Sequence, residues 1–335
     1  MGNIKGNLND PRLRLDYAKR ERGTVQPDDK RQRFQWVSEV AYKNVHRIVT
    51  RGYDTTELVE AGYGLADIIF IDFQARIPLE EEAKMLNYVM ILMLEDGLSP
   101  TAAISRIVTK SKTLLTQAAG ASVLAFGHAY AAYEAFGKMM NTYLEKVENN
   151  ELSQSEAAAQ MVKDNLDSEA LGISSLMLKD PAAKRMLARA EKLGVAGKYV
   201  SFIKEAEAAA QNLSAEPAAV DMLGASGAVM LDLGFSPEST WGVLAVTRAY
   251  GSGAHYCEEV EREGTTRLGQ NLTPKENYDG QEKRPVPTLD ERAKFAKPGQ
   301  AKTPQEWREM VDERKKVQGS GWAIEEAIED PRRKI

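Results

Sequence analysis

From Thr55 to Gly264 apolar residues recur at three- and four-residue intervals, which predicts helix along nearly the whole stretch. Leu79–Glu95 sets Met85, Leu86, Val89, Met90 and Met93 at helical spacing, with Gly97 beyond them as a stop. Ser99-Pro100 offers an N-cap followed by proline at the first helical position. The next helix runs through Leu114–Ala125, where abundant Ala and Gly permit close approach of a neighbour. Ser153 and Glu156 stand at capping-box spacing, and Asp180-Pro181 opens a helix that Gly194 closes. Ser236-Pro237 begins the longest helix, running to about Glu263 with Gly264 after it. Ahead of all these, Phe34–Arg51 alternates and is partly β-branched, as in a short hairpin.

The two ends have a different pattern. Residues 1–33 are polar and charged, in the manner of an arm or a disordered lead. After Gly264, Pro274, Pro285, Pro287 and Pro298 rule out a long helix, and Thr303–Lys316 then forms one amphipathic helix anchored by Trp307. There is no internal repeat and no βαβ rhythm, which excludes Rossmann and TIM-barrel folds and leaves an all-α class.

Composition narrows the functional classes. The chain has 335 residues, 43 % hydrophobic and 28 % charged, an ordinary soluble balance with enough apolar content for a core. A formal charge of −5 provides no basic footprint for nucleic acid. Cys257 stands alone, so no internal disulfide forms, and the start has no apolar signal core. MGNIKG is only half a myristoylation signal, because Gly6 occupies the Ser/Thr position. The longest apolar run is too short for a bilayer, so no membrane association and a cytoplasmic location are expected.

Chemistry concentrates in separated segments: RGYD at Arg51–Asp54, LEDGLSPTA at Leu94–Ala102, GASVLAFGHAYAA at Gly120–Ala132, GISSLMLKDPAAKR at Gly172–Arg185, and Ala219–Arg248 continuing into GSGAHYCEEVEREG. In this order and spacing they resemble the citrate synthase and citryl-CoA lyase family. The resemblance implies a large helical domain, residues 1–130 and 234–335, with a small helical domain, residues 131–233, inserted in it and the active site between them. It also implies a coenzyme A thioester as substrate, a small carbonyl or carboxylate co-substrate, and a homodimer whose contacts include the Gly120–Ala132 region and a C-terminal strap; with three histidines and one cysteine in the chain, no metal site is expected.

Carbon–carbon bond chemistry beside a thioester needs a base for the α-proton, a donor for the enolate oxygen, and a group serving the second substrate. Asp221 matches the family's base, and its Ala, Val, Met and Leu surroundings would raise its pKa by desolvation; the same residue also suits an N-cap. His128 matches the enolate donor, although Ala129-Tyr130 replace smaller residues, and an ordinary packed histidine reads the same way. Arg248 matches the arginine that grips a carboxylate, a task for which the planar guanidinium fork is suited. His255 corresponds to a structural or interface histidine and Cys257 faces elsewhere, two residues on; His46 reads as a surface residue of the hairpin.

Two family histidines are absent. Asp96 stands where one is expected at the end of the second-substrate helix, and Ser175 stands where the other is expected, with Lys179 near an expected carboxylate-binding arginine. An aspartate repels a substrate carboxylate, and serine is a poor proton donor at neutral pH. The expected activity is therefore Claisen or retro-Claisen chemistry on a substrate other than oxaloacetate. In it Asp221, His128, Ser175 and Asp96 carry the chemistry, and Arg248 and Lys179 bind the substrate. A non-catalytic paralogue and a CoA-linked decarboxylase or ring-cleaving enzyme remain as alternatives.

Overall fold

The computed structural model describes residues 38–127, 132–175, 181–213, 217–264, 285–295 and 303–318. Strands β1 (Ala41–Lys43), β2 (Ile48–Thr50) and β3 (Tyr53–Asp54) form an antiparallel sheet in which Tyr42 pairs with Val49 and Thr50 with Tyr53. The third strand goes beyond the expected hairpin. Its turn is Arg51-Gly52, both at positive φ (48° and 91°), the twist that a two-residue connection requires. Asp54 then accepts the amides of Thr56 (2.9 Å) and Glu57 (3.3 Å), capping α1 (Thr55–Glu60). The RGYD segment is thus a turn joined to a helix cap.

Helices follow as predicted: α2 (Leu65–Gln74), α3 (Glu80–Leu94), α4 (Pro100–Ile107), α5 (Leu115–Ala125), α6 (Tyr133–Glu148) and α7 (Gln154–Asp164). Then come α8 (Pro181–Leu193), α9 (Lys198–Leu213), α10 (Met222–Asp232), α11 (Pro237–Glu258), a short α12 (Arg292–Phe295) and α13 (Pro304–Gln318). The Ser153–Glu156 capping box forms at the start of α7, and Ser236 caps α11 through the Ser239 amide at 3.1 Å. Gly194 and Gly264 lie at positive φ, at the end of α8 and beyond α11. Between α7 and α10, β4 (Ile173–Ser175) and β5 (Ala218–Val220) pair antiparallel.

Local details depart from expectation at two points and extend it at a third. The helix α3 ends at Leu94, with Glu95 already extended, so Gly97 (φ 57°) shapes the turn after it rather than the stop itself. Ser99 precedes α4 without a side-chain cap bond, because its hydroxyl pairs with that of Thr101 at 2.9 Å. The last turn of the long helix, Glu259–Glu263, widens to π geometry. The polar arm of residues 1–33, most of the proline-bearing stretch and the side chain of Trp307 lie outside the described residues.

One apolar cluster joins α3, α6, α7, α9, α10 and α11, and a buried leucine- or phenylalanine-sized side chain there contributes about 1.5–3 kcal/mol. α10 is buried from Gly224 to Leu231, and its small residues decide how close its neighbours come. A Cβ on Gly227 would lie 2.6 Å from the Phe136 ring, and one on Gly224 would lie 2.1 Å from the Gly172 carbonyl oxygen. Glycine at these positions seats α6 and the start of β4 against α10. No described helix is long and apolar enough to cross a membrane.

Candidate active site

Six separated pieces of chain meet at a cleft of about 390 Å3: the end of α3 and the turn after it (Leu92, Met93, Glu95, Asp96), Phe126 after α5, Tyr133 opening α6, Ala182 in α8, Met222 and Leu223 in α10, and Arg248 in α11. A larger depression of about 790 Å3 on α2 and α3, around Tyr63 and Lys84, includes none of the sequence-predicted site residues.

Arg248 is the centre of the cleft wall. Its residue is 4 % exposed, an unusual place for a guanidinium unless it is fully engaged. Its Nε donates to the Met93 carbonyl at 2.6 Å, and a terminal nitrogen lies 3.0 Å from Asp96 Oδ2. The guanidinium carbon sits 5.6 Å from the Phe126 ring centroid. A carbonyl in the last turn of α3 has no partner within its own helix, so Arg248 also acts as a cation capping that C-terminus.

Docking of α11 onto the end of α3 extends beyond this arginine. One turn on from Arg248, a Cβ on Gly251 would lie 2.2 Å from the Leu94 carbonyl oxygen, so the two backbones touch there. One further turn on, His255 Nε2 meets Glu95 Oε1 at 3.1 Å while Nδ1 faces Glu258 Oε2 at 3.4 Å. The same Glu95 oxygen accepts the amide of Asp96 at 2.9 Å. Arg248, Gly251 and His255 thus hold Met93 to Asp96 residue by residue. Arg106 from α4 braces the far end through Glu258 (2.8 Å) and the 3 %-exposed Glu259 (2.6 Å).

Asp221 follows β5 and precedes α10. Its amide donates to the Gly172 carbonyl at 3.1 Å and its Oδ1 accepts the Gly224 amide at 3.0 Å. The expected cap role is therefore real, and it fixes the carboxylate next to Met222 and Leu223 of the cleft. Ser175 pairs through its backbone with Ala218 on the adjoining ladder, while its side chain lies outside the described residues, as do His128 and Lys179. Asp96, Asp221 and Arg248 are brought to one region; His255 is tied to it through Glu95. Cys257 turns the other way, onto an apolar groove, as its spacing from His255 requires. His46 is exposed in the turn between β1 and β2 rather than on a strand.

Tyr133 is the residue that sequence reasoning missed. Ser226 donates its own proton to the Met222 carbonyl at 2.5 Å, so the Tyr133 hydroxyl, 2.8 Å away, is the donor to Ser226; Met93 Sδ lies beyond at 3.7 Å. Burial pushes the phenol well above its ordinary range, with Arg248, Asp221 and Asp96 all close enough to act on it electrostatically. The phenol therefore stays neutral and keeps its proton. Its only trace in the sequence was a tyrosine after an Ala-rich run, which also describes a core residue.

Comparison with known proteins follows the same outline. Residues 68–269 match the family described as citrate synthase, C-terminal domain. Citryl-CoA lyase from Hydrogenobacter thermophilus superposes with a TM-score of 0.63 at 23 % identity, over 75 % of this chain and 97 % of that one. ATP citrate lyase from Methanothrix soehngenii, in complex with citrate and coenzyme A, gives 0.59 at 15 % identity over 84 % of this chain, which spans 49 % of that one. Citrate synthase from Thermoplasma acidophilum, in ternary complex with carboxymethyl coenzyme A and oxaloacetate, gives 0.53 at 19 % identity, over 68 % and 60 %. No curated protein sequence matches. With the family matched across more than half of its length and its helical fold shared with a lyase and a synthase, this chain belongs to the citrate synthase/citryl-CoA lyase superfamily.

Proposed function

We propose that the protein is a CoA-thioester-dependent carbon–carbon lyase or synthase acting on a substrate other than oxaloacetate. The observation that carries this reading is that Asp96 and Arg248 line one cleft of a citrate synthase-family fold, with Asp221 directly before its lining residue Met222 and, like them, near Tyr133. In the cleavage direction Ser175 or Asp96 takes the proton of the substrate hydroxyl. The bond between the hydroxyl-bearing carbon and the thioester α-carbon then breaks, leaving a carbonyl product and a thioester enolate. His128 donates a hydrogen bond to the enolate oxygen, and Asp221, in its acid form, returns a proton to the α-carbon. Condensation is the same path reversed, with Asp221 as the base.

The small domain of residues 131–233 closes over the large one in this reading, and the cleft takes an acyl-CoA with Lys179 and Arg248 toward the second substrate. The functional unit is a cytoplasmic homodimer. Support for the dimer is the apolar groove of about 430 Å3 formed by Leu115 and Ala119 of α5 with Val246, Tyr250, Gly253 and Cys257 of α11.

The test is thermal stability with coenzyme A, acetyl-CoA and larger acyl-CoAs, followed by α-hydrogen exchange of the bound thioester in D2O. A ligand at a hundred times its Kd stabilises by about 2.7 kcal/mol. Asp221→Asn should keep the shift and the fold, since asparagine caps as well as aspartate, while losing exchange at least a hundredfold. Unchanged exchange in Asp221→Asn would remove the base assignment. No shift with any thioester would instead favour a non-catalytic paralogue, a reading supported by the engagement of Arg248 with Met93 and Asp96.

A further inference from the structure

Within the cleft, the group best placed to recognise a carboxylate has a carboxylate on it already. Arg248 is almost wholly enclosed, its side chain 5 % exposed, whereas the Asp96 side chain that pairs with it is 46 % exposed and stands at the cleft's mouth. An aspartate at that exposure on a flexible turn would swing into water and leave the guanidinium to a ligand. Here the three residues leading into the turn are each anchored. The Met93 carbonyl takes the Arg248 Nε, the Leu94 carbonyl is seated on Gly251, and Glu95 is bound to His255 while accepting the amide of Asp96 itself. The backbone that carries Asp96 is thereby fastened to the same helix that carries Arg248.

We propose that Asp96 is a specificity-determining residue: its carboxylate occupies the anion-binding end of Arg248, so the cleft admits a second substrate with no carboxylate at that end. This deepens the reading of a CoA-thioester lyase or synthase and rests on it for the word substrate; the anion exclusion itself stands on geometry alone. A guanidinium already paired with one carboxylate offers a second one few aligned donors, and the incoming anion also meets the charge of Asp96 and of Glu95 beside it. An uncharged aldehyde or ketone meets neither obstacle, and in the cleavage direction the corresponding hydroxyl group can also donate a hydrogen bond to an Asp96 oxygen.

The experiment is calorimetric titration of the full chain with oxaloacetate as the anionic probe, on the wild type, Asp96→Asn and Asp96→His. Melting curves establish that each variant is folded, and the acyl-CoA stability assay is run on the same samples. Both variants should bind oxaloacetate at least tenfold more tightly than the wild type. Two variants are used because each restores the guanidinium with a different neutral or donating neighbour, so misfolding of one leaves the other to decide. Wild-type binding as tight as that of the variants would overturn the proposal, and so would a folded variant that gains nothing. The CoA assay separates the two levels: a gain in oxaloacetate binding without any thioester shift supports Asp96 as the excluding group and counts against the lyase or synthase reading.

Discussion

Beyond the core residues Val243, Leu244 and Ala245, the C-terminal half of α11 has two unlike faces, and the polar one is turned inward. Arg248, Gly251, Ser252 and His255 lie along one side, against the end of α3 and against α4 and α5. Val246, Tyr250, Gly253 and Cys257 lie along the opposite side, on the apolar groove with α5. Arg248 is 4 % exposed, while Val246 and Tyr250 are 58 % and 65 % exposed. A helix of this pattern read alone would be placed the other way round, apolar side to the core. The inversion teaches that the inner face of this half is polar where it borders the candidate site, and that its buried polar groups Arg248 and Ser252 are engaged there. Ser105 donates to the Ser252 carbonyl at 2.8 Å, for instance, and Ser122 to the Ser252 hydroxyl at 2.6 Å.

The sharpest way to break this comparison is a pair of matched substitutions, one on each face. In Gly251→Ala the new Cβ would meet the Leu94 carbonyl at 2.2 Å, a backbone atom that cannot step aside, and the expected cost is about 1–3 kcal/mol by urea denaturation. In Gly253→Ala the nearest atom is the end of the Leu115 side chain at 3.3 Å, and alanine's helix preference should offset or exceed any strain, by up to about 1 kcal/mol. Equal destabilisation at both positions would mean that the two faces are not distinguished by packing.

A smaller effect on folding, and a larger one on assembly, is expected from Tyr250→Asp. The side chain is mostly solvent-exposed in the single chain, so stability at low concentration should change by no more than about 0.5 kcal/mol. If a second copy covers the groove, light scattering will show the mass falling from dimer to monomer. A wild-type mass of one chain would remove the outer face from the proposed dimer.

The smallest effect lies away from both faces and serves as a reference for acid sensitivity. Glu82 is held below the ordinary glutamate range, first by hydrogen bonds from Arg76 at 2.7 Å and then by the Leu79 amide, against the opposing effect of burial. A depressed native pKa means that its contribution is fully present above the unfolded value of about 4.3 and is lost as pH falls through the lower native value. Replacing it, Glu82→Gln, should lower stability at neutral pH and flatten this part of the acid limb in pH-dependent melting. An acid limb identical to the wild type would show that the Arg76–Glu82 pair contributes nothing.

Several features were legible because their physics is local. A cap bond spans three residues, so Ser153 with Glu156, Ser236 with Pro237, and the closing glycines at 194 and 264 marked helix ends correctly. Ser99 failed by the same locality, because Thr101 is an equally near partner for its hydroxyl. The Asp221 cap was also legible, a bond to the Gly224 amide three residues on. Nothing local marked Tyr133, whose partner Ser226 lies on another helix.

By itself the sequence determined that the chain is helical between its polar ends, where most helices begin and stop, and, through the order of a few motifs, to which superfamily it belongs. Those properties follow from hydrogen bonds and periodicities within one or two turns. Only the tertiary structure decided that Asp96 meets Arg248, that Glu95 and Gly251 fasten the residues leading into that contact, and that the C-terminal half of α11 presents its polar side inward. The reason is that a carboxylate and a guanidinium carry no mark of which charge they will face. That choice is made when α11 packs on the end of α3, and burial then fixes Arg248 to the partners within reach.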